Sequence, residues 1–456
     1  MSTPTTAPEP APGDRRSPWS RTVRRTADGS LAVGGRDVRD IAAEHGTPVY
    51  VLDESDLRAR ARTFVTAFRD AFADLAGADV YYASKAFASV AVLRWVHEEG
   101  MHVDVSTGGE LAVALRAGVP GQALALHGNN KSDAELERAL RAGVGRIVLD
   151  SLGEVDRVAD LAGRLGLRAP VMVRVTTGVH AGGHDYISTA HEDQKFGLSL
   201  AGGAARAAVD AVLARPELTL LGLHSHIGSQ ILDLSGFEVA AAALLRLRAE
   251  VADQTGTLMP ELDLGGGYGI SYTGADAPPA SDRVATTLAD VVRRASAELG
   301  TPPPRVSVEP GRAVAGPAGL TLYRVGTVKP VVLDGGGERR YVSVDGGMSD
   351  NIRTALYDAE YTAALANRRS TAPAVLSRVV GKHCESGDIV VRDVLLPADV
   401  APGDLLAVPA TGAYGRSMAS NYNLVPRPGV LAVRDGQSRF VVRPESEEDL
   451  LALDLG

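Results

Sequence analysis

Residues 79–85 read Asp79-Val80-Tyr81-Tyr82-Ala83-Ser84-Lys85, an apolar run of β-branched and aromatic side chains closed by a lysine. Such a run reads as a buried strand, with the lysine where the strand ends. Seven similar runs follow: 102–106 (HVDVS), 123–127 (ALALH), 146–150 (RIVLD), 171–176 (VMVRVT), 220–226 (LLGLHSH), 261–265 (ELDLG) and 305–309 (RVSVE). Stretches of helical period lie between them, for example 109–117, 132–142, 152–165 and 236–255. Strands alternating with helices imply parallel pairing, and eight such units predict an α/β fold, a (β/α)8 barrel of TIM type. An open doubly wound sheet is the competing arrangement.

Beyond residue 318 the texture changes. Runs at 320–325, 340–344, 389–394, 405–408 and 439–442 are separated by Pro, Gly and Asp turns. That pattern predicts a C-terminal all-β domain, sandwich or barrel, interrupted by one helix around 351–366. Residues 30–52 are also strand-like, so an N-terminal segment is expected to complete the β domain. The expected organisation is a disordered leader over 1–20, rich in Pro, Ala, Ser and Thr; a joining segment over 21–53; the barrel over 54–318; and the β domain over 319–456.

Composition narrows the function classes. The chain has 456 residues, 45% of them hydrophobic and 23% charged, which is globular and long enough for more than one domain. No run of about 18 apolar residues occurs, so no membrane span is expected. No basic-then-apolar signal pattern opens the chain, and a cytoplasmic protein is expected. A net charge of −9 without a lysine-rich block argues against nucleic acid as a partner. Cys384 is the single cysteine, which excludes an intramolecular disulfide and a cysteine-rich zinc cluster.

In a barrel of this kind, working groups sit at the carboxyl ends of the strands. Those ends carry Lys85, Asp104, His127, Asp150, Arg174, His226, the Gly265-Gly266-Gly267 run and Glu309. A lysine at a strand end can be desolvated and used for Schiff-base chemistry; the ordinary alternative is a lysine reaching solvent. In His224-Ser225-His226-Ile227-Gly228-Ser229, one imidazole can lie against a flat cofactor ring while Ser229 and the following amides take a phosphate. A satisfied core network is the alternative. Asp263-Leu264-Gly265-Gly266-Gly267-Tyr268-Gly269 lets backbone amides approach a phosphate, though tight turns use the same residues. Glu309-Pro310-Gly311-Arg312 ends the eighth strand; a protonated pyridine nitrogen would pair the glutamate, and a Glu309–Arg312 salt bridge is the alternative.

The β domain carries further candidates. Cys384, in Lys382-His383-Cys384-Glu385-Ser386-Gly387-Asp388, stands among polar neighbours that suit a proton-active thiol rather than an inert one. Tyr414, in Gly412-Ala413-Tyr414-Gly415, can donate to a phosphate oxygen or cap a turn. Arg353 and Tyr357 are four apart and would share a helix face, with a solvated face as the alternative. His180, His184 and His191 lie in a 177–196 insertion that reads as a substrate-covering loop, and no metal is expected.

Together these segments resemble the diaminopimelate decarboxylases, within the fold-type-III pyridoxal phosphate decarboxylases that include ornithine and arginine decarboxylases. The resemblance spans residues 30–445 and rests on YYASKA, VDVSTGGEL, HGNNKS, HSHIGSQ, LDLGGGYG, VEPGR, SDNIRTALY, KHCESGD and GAYG, in the family's order. It implies pyridoxal 5'-phosphate as cofactor, held by Lys85 through a Schiff base. Glu309 would meet the pyridine nitrogen, His226 would stack on the ring, and Ser229, Gly267 and Tyr414 would bind phosphate, with Asp104 in support. Cys384 would be the proton donor after carbon dioxide leaves, and Arg312, Arg353, Tyr357, Glu385 and Tyr414 would hold the substrate. It also implies a homodimer in which the Cys384-Glu385 segment serves the partner's site.

Charge supports the substrate. The non-reacting end of diaminopimelate carries a carboxylate and an ammonium, which suit two arginines and Glu385. An ornithine or lysine substrate would leave the arginines without an anion, a mismatch of several kcal/mol if they are buried. The expected reaction is decarboxylation of meso-2,6-diaminopimelate to L-lysine. The alternatives are a decarboxylase of another basic amino acid (ornithine, lysine or arginine) and a barrel racemase; a non-catalytic pyridoxal-phosphate-binding protein would have no use for Cys384 and Glu385.

Overall fold

The structure, a computed structural model, describes residues 6–11, 13–179 and 195–456. The chain divides into two compact units. One comprises residues 60–269 and 279–311, the other residues 1–59, 270–278 and 312–456.

The first unit is a closed parallel barrel. Its strands are Ala78–Ala83, His102–Val105, Leu124–Leu126, Arg146–Leu149, Ala169–Thr176, Leu218–His224, Glu261–Gly266 and Arg305–Glu309. Each pairs in parallel with the next, and the eighth pairs with the first through Val306–Ala78 and Val308–Val80. Closure removes both sheet edges and settles the fold in favour of the barrel over an open sheet. The strands are buried on both faces, which is why they read as short continuous apolar runs.

The connecting helices begin and end where local chemistry sets them. Asp133–Ala142 opens on a capping box between Ser132 and Glu135 and closes on Gly143 at φ 65°. Ser235–Thr255 ends on Gly256 at φ 72°. Apolar stripes such as Val155, Val158, Ala159 and Ala162 of Leu152–Leu165 are buried. Several strands stop one or two residues before the group expected at their end. Lys85 lies in a single 3-10 turn, Ser84–Ala86, and His226 lies two residues past His224.

The second unit is mostly strand. The long strand Gly319–Val332 organises it: residues 319–322 pair antiparallel with Val49–Asp53, residues 320–324 with Leu405–Pro409, and residues 325–332 with Glu338–Val344. Ala374–Val380 and Ile389–Pro397 extend one side; Val430–Arg434 and Gln437–Val442 extend the other, past Val49–Asp53. Val49–Asp53 thus lies inside the sheet, paired on both edges, so an N-terminal strand completes the β fold.

Three expectations change here. The helix read over 351–366 is only Arg353–Tyr357, because Asp358 turns left-handed at φ 52° and ends it. The segment 30–52 holds a helix, Val38–His45, capped by the Asp37 carboxylate, as well as strands. The leader is not disordered at its end: Trp19 and Ser20 are buried, and Trp19 Nε1 donates to the Pro8 carbonyl at 2.7 Å. Among the described residues no helix is long and apolar enough to cross a membrane.

Candidate active site

In the barrel unit the strand ends bring four ionisable residues into contact. Asp104 lies on the second strand, His127 just past the third, His224 ends the sixth and Glu309 ends the eighth. All four are buried. His224 Nε2 lies 3.1 Å and His127 Nε2 3.3 Å from Glu309 Oε1. His127 Nε2 is also 3.7 Å from Asp104 Oδ1, and the two imidazoles meet edge to face at 5.1 Å. The two contacts to Glu309 have the distance of hydrogen bonds but not the alignment. Among the described residues, Asp104 Oδ1, His127 Nε2, both His224 nitrogens and Glu309 Oε1 are sealed from solvent without a hydrogen-bond partner. Buried polar atoms are costly in that state, so a cluster of them marks a place built for a ligand.

The two carboxyls are driven apart. Burial, then the charge of Glu309, pushes the Asp104 carboxyl well above its usual range. Burial also works against ionised Glu309, but His127, His224 and His226 outweigh it and hold this carboxyl well below the usual range. The surroundings therefore favour the neutral form of one acid and the ionised form of its neighbour, a division typical of working sites. Burial pushes the His127 imidazole well below its normal range. Burial, followed by the Lys85 charge, brings His226 down to about 3.

Beneath this cluster the barrel interior is tied by Arg146. Its guanidinium donates to Ser307 Oγ at 2.8 Å, lies 3.4 Å from Asp263 and 2.9 Å from Glu261, and sits over the Tyr81 ring at 4.6 Å. Lys131, buried in the HGNNKS segment, is spent on structure: it is 3.0 Å from both Glu154 oxygens and donates to two carbonyls.

The glycine run after the seventh strand is a close-approach loop. A Cβ on Gly266 would stand 2.1 Å from the Glu309 carbonyl oxygen, and one on Gly267, at φ 104°, 2.3 Å from the Gly228 carbonyl oxygen. Only glycine brings these backbones together. Gly266 N donates to His226 Nδ1 at 3.1 Å, which ties the HSHIGS segment to the glycine run, and Ser229 is exposed beside them in sequence. Lys85 is exposed between buried Ser84 and Ala86.

The second unit gathers two arginines among tyrosines. Arg312 and Arg353 are 9% and 7% exposed. Arg312 donates to Tyr272 Oη and lies over the Tyr414 ring at 4.6 Å. Arg353 donates to Tyr361 Oη at 2.6 Å and lies over the Tyr272 ring at 4.7 Å. No carboxylate among the described residues stands within ion-pair distance of Arg353. Tyr357 is 61% exposed and is not part of this cluster, although it shares a short helix with Arg353. Cys384 and Glu385 are exposed on the 381–388 turn. That turn is anchored from below: Asp388 accepts from the Met348 and His383 amides, and the buried His383 ring meets Ser349 Oγ at 2.8 Å. His180, His184 and His191 lie outside the described residues.

Residues 56–316 match the pyridoxal binding domain of the pyridoxal-dependent decarboxylases. Diaminopimelate decarboxylase of Mycobacterium tuberculosis is 52% identical over 441 residues, covering 96% of this chain and 97% of the relative. The chain belongs to the diaminopimelate decarboxylase family. The Bacillus subtilis family member is 45% identical over 95% of this chain and 97% of its own. The crystal structure of diaminopimelate decarboxylase from M. jannaschii in co-complex with L-lysine superposes with a TM-score of 0.90 at 30% identity, covering 96% of this chain and 98% of that one.

For this family member, sequence reasoning passed over four residues that the structure brings into play. His127 was visible as a strand-end group without a role, and His224 as the companion of His226. Alternate strand residues share a face, which was the usable signal for His224. Tyr272 and Tyr361 stand in loops with no motif around them, and nothing local marks them.

Proposed function

We propose that this chain decarboxylates meso-2,6-diaminopimelate to L-lysine and carbon dioxide, the last step of lysine formation by the diaminopimelate route, with pyridoxal 5'-phosphate as cofactor. The observation that carries the substrate is Arg353, a buried guanidinium wrapped by tyrosines and without a carboxylate partner among the described residues. A buried cation in that state calls for an anion from outside, and the distal carboxylate of diaminopimelate supplies one.

The barrel residues fit the cofactor on two counts. The sealed, unpartnered atoms of Asp104, His127, His224 and Glu309 need a polar ligand, and the glycine run, packed against Glu309 and Gly228 with no room for a Cβ, keeps bare backbone at the same strand ends. When bound, pyridoxal phosphate accepts the electron pair released as the carboxylate leaves.

In this reading Lys85 supplies the amine that tethers the cofactor and frees the product. Glu309, held ionised, accepts from the ring nitrogen, while Asp104, kept protonated, supports the site without adding a second negative charge. His226, neutral and fixed by the Gly266 amide, lies against the ring. Ser229, Gly267 and Tyr414 bind the phosphate. Arg312, Arg353, Tyr357 and Tyr414 hold the distal end of the substrate, with Glu385 accepting from its ammonium. Cys384 delivers a proton from Sγ to the carbon that has lost carbon dioxide. The exposed, firmly anchored Cys384-Glu385 turn is suited to serve a second copy of the chain, so the reading includes a homodimer with shared sites, acting in the cytoplasm.

Carbon dioxide release from meso-diaminopimelate, set against ornithine, lysine and arginine, tests the reading. Turnover of diaminopimelate alone is expected. Turnover of one of the others in its place, or epimerisation without gas, would overturn it.

A further inference from the structure

We infer that His127 and His224 are positioning residues that together hold Glu309 by its Oε1, leaving Oε2 to meet the ring nitrogen of the cofactor. This rests on the cofactor reading above and adds two residues to it. Both Nε2 atoms converge on the same oxygen, at 3.3 and 3.1 Å, from rings crossed at 71°. Edge-to-face packing lets two N–H groups approach one oxygen from different sides without the rings colliding. Oε1 itself is enclosed and has no other donor among the described residues.

The chemistry explains why such a pair is needed. A glutamate buried without help would take up a proton. It would then present an O–H to the ring nitrogen instead of accepting from a protonated one. Two imidazole N–H groups aimed at Oε1 favour the anionic carboxylate. Each contact is already at hydrogen-bond distance, and a modest turn of either ring completes the bond, a tightening expected when the ring nitrogen engages Oε2.

The same three atoms are also a zinc-type donor set, two imidazoles and a carboxylate, which lie within 4.8 Å of one another. The experiment therefore separates a positioning pair from a metal site and from plain packing. Four variants are made in the full-length chain, His127→Phe, His224→Phe, His127→Asn and His224→Asn, each also in a Glu309→Gln background. Cofactor affinity is measured by titrating the apo protein with pyridoxal phosphate, alongside kcat, KM and the spectrum of the bound cofactor.

Each Phe variant is expected to weaken cofactor binding about 10-fold, the usual scale for losing a hydrogen bond to a charged group. It should lower kcat with little change in KM, and the Asn variants, which keep a donor, should recover most of both. In the Glu309→Gln background the Phe substitutions should have no further effect. Equal losses in both backgrounds, or Asn variants as weak as Phe, would overturn the inference. So would stoichiometric zinc retained by the apo protein and lost in the variants. If Glu309→Gln alone leaves affinity and spectrum unchanged, the cofactor reading itself fails, an outcome distinct from failure of the histidine pair.

Discussion

The backbone amide of Gly266 donates to Nδ1 of His226 across 3.1 Å. An imidazole that accepts at Nδ1 carries its proton on Nε2 and is neutral, so the glycine run sets both the tautomer and the orientation of the ring.

The buried ring has a pH signature. Burial and the nearby Lys85 hold His226 at about 3 in the fold, whereas the unfolded chain takes up the proton near 6.5. Between those values the unfolded state binds more protons, so this component of stability rises with pH and is lost as pH falls from about 6.5 toward 3. Urea unfolding of His226→Gln across that range should show a flatter dependence on pH than the parent chain. Identical slopes would mean that His226 does not carry the effect.

Arg146 anchors the barrel interior through Ser307, Asp263 and Glu261. Replacing it with methionine keeps bulk but leaves the buried Asp263 carboxylate without its cation. A loss of about 3–5 kcal/mol is expected in chemical denaturation, on the scale for breaking a buried pair from one side. A change below about 1 kcal/mol, the size typical of exposed pairs, would show that the network is loosely held.

Gly266→Ala is a sharper test of the close approach between the seventh and eighth strands. Its methyl would stand 2.1 Å from a backbone oxygen of Glu309 and 3.4 Å from the Glu309 Cβ, and a strand backbone yields little. The variant should either fail to accumulate as folded protein or fold with Glu309 displaced and cofactor affinity strongly reduced. Parent-like affinity from calorimetric titration would contradict the geometry.

Arg353→Met should leave the fold in place and lower kcat/KM for diaminopimelate about 10- to 100-fold, the cost of losing a charge-assisted contact. Arg353→Lys should recover only part, because an ammonium does not reproduce the planar fork between Tyr361 and Tyr272. Circular dichroism spectra matched to the parent would confirm that the loss lies in recognition.

The proposed sharing of sites between two copies of the chain can be read from mixing. Lys85→Ala and Cys384→Ala chains should each be inactive alone, with Cys384→Ala still binding cofactor. Unfolded together and refolded, they should recover about a quarter of parent activity, since half of the dimers are mixed and each mixed dimer has one intact site. No recovery would place Cys384 in the site of its own chain.

The barrel was legible because of how parallel strands are buried. Each strand is covered on both faces, so its sequence is a short apolar run, and all eight runs appear in the structure within a few residues of their read bounds. The β unit was less legible. Ala374–Val380 and Val430–Arg434 are missing from the strand reading, although Pro373 and Gly381 bound the first and Pro428-Gly429 and the Asp435-Gly436 turn bound the second, and the helix Val38–His45 depends on a single Asp37 cap within a strand-like stretch.

The sequence alone determined that a lysine, a glycine run and a glutamate stand at strand ends of one barrel, because strand periodicity and turn chemistry are local properties. It also determined the chemical types of the residues, two arginines among them, that a dicarboxylic amino acid would need. Only the tertiary structure decided that His127 and His224 converge on one oxygen of Glu309, that Gly266 selects the tautomer of His226, and that Arg353 is buried while Tyr357 is exposed. Those outcomes depend on contacts of about 3 Å between groups far apart in the chain. No local pattern encodes them, since strand closure and helix termination, summed over the whole fold, set which atoms meet.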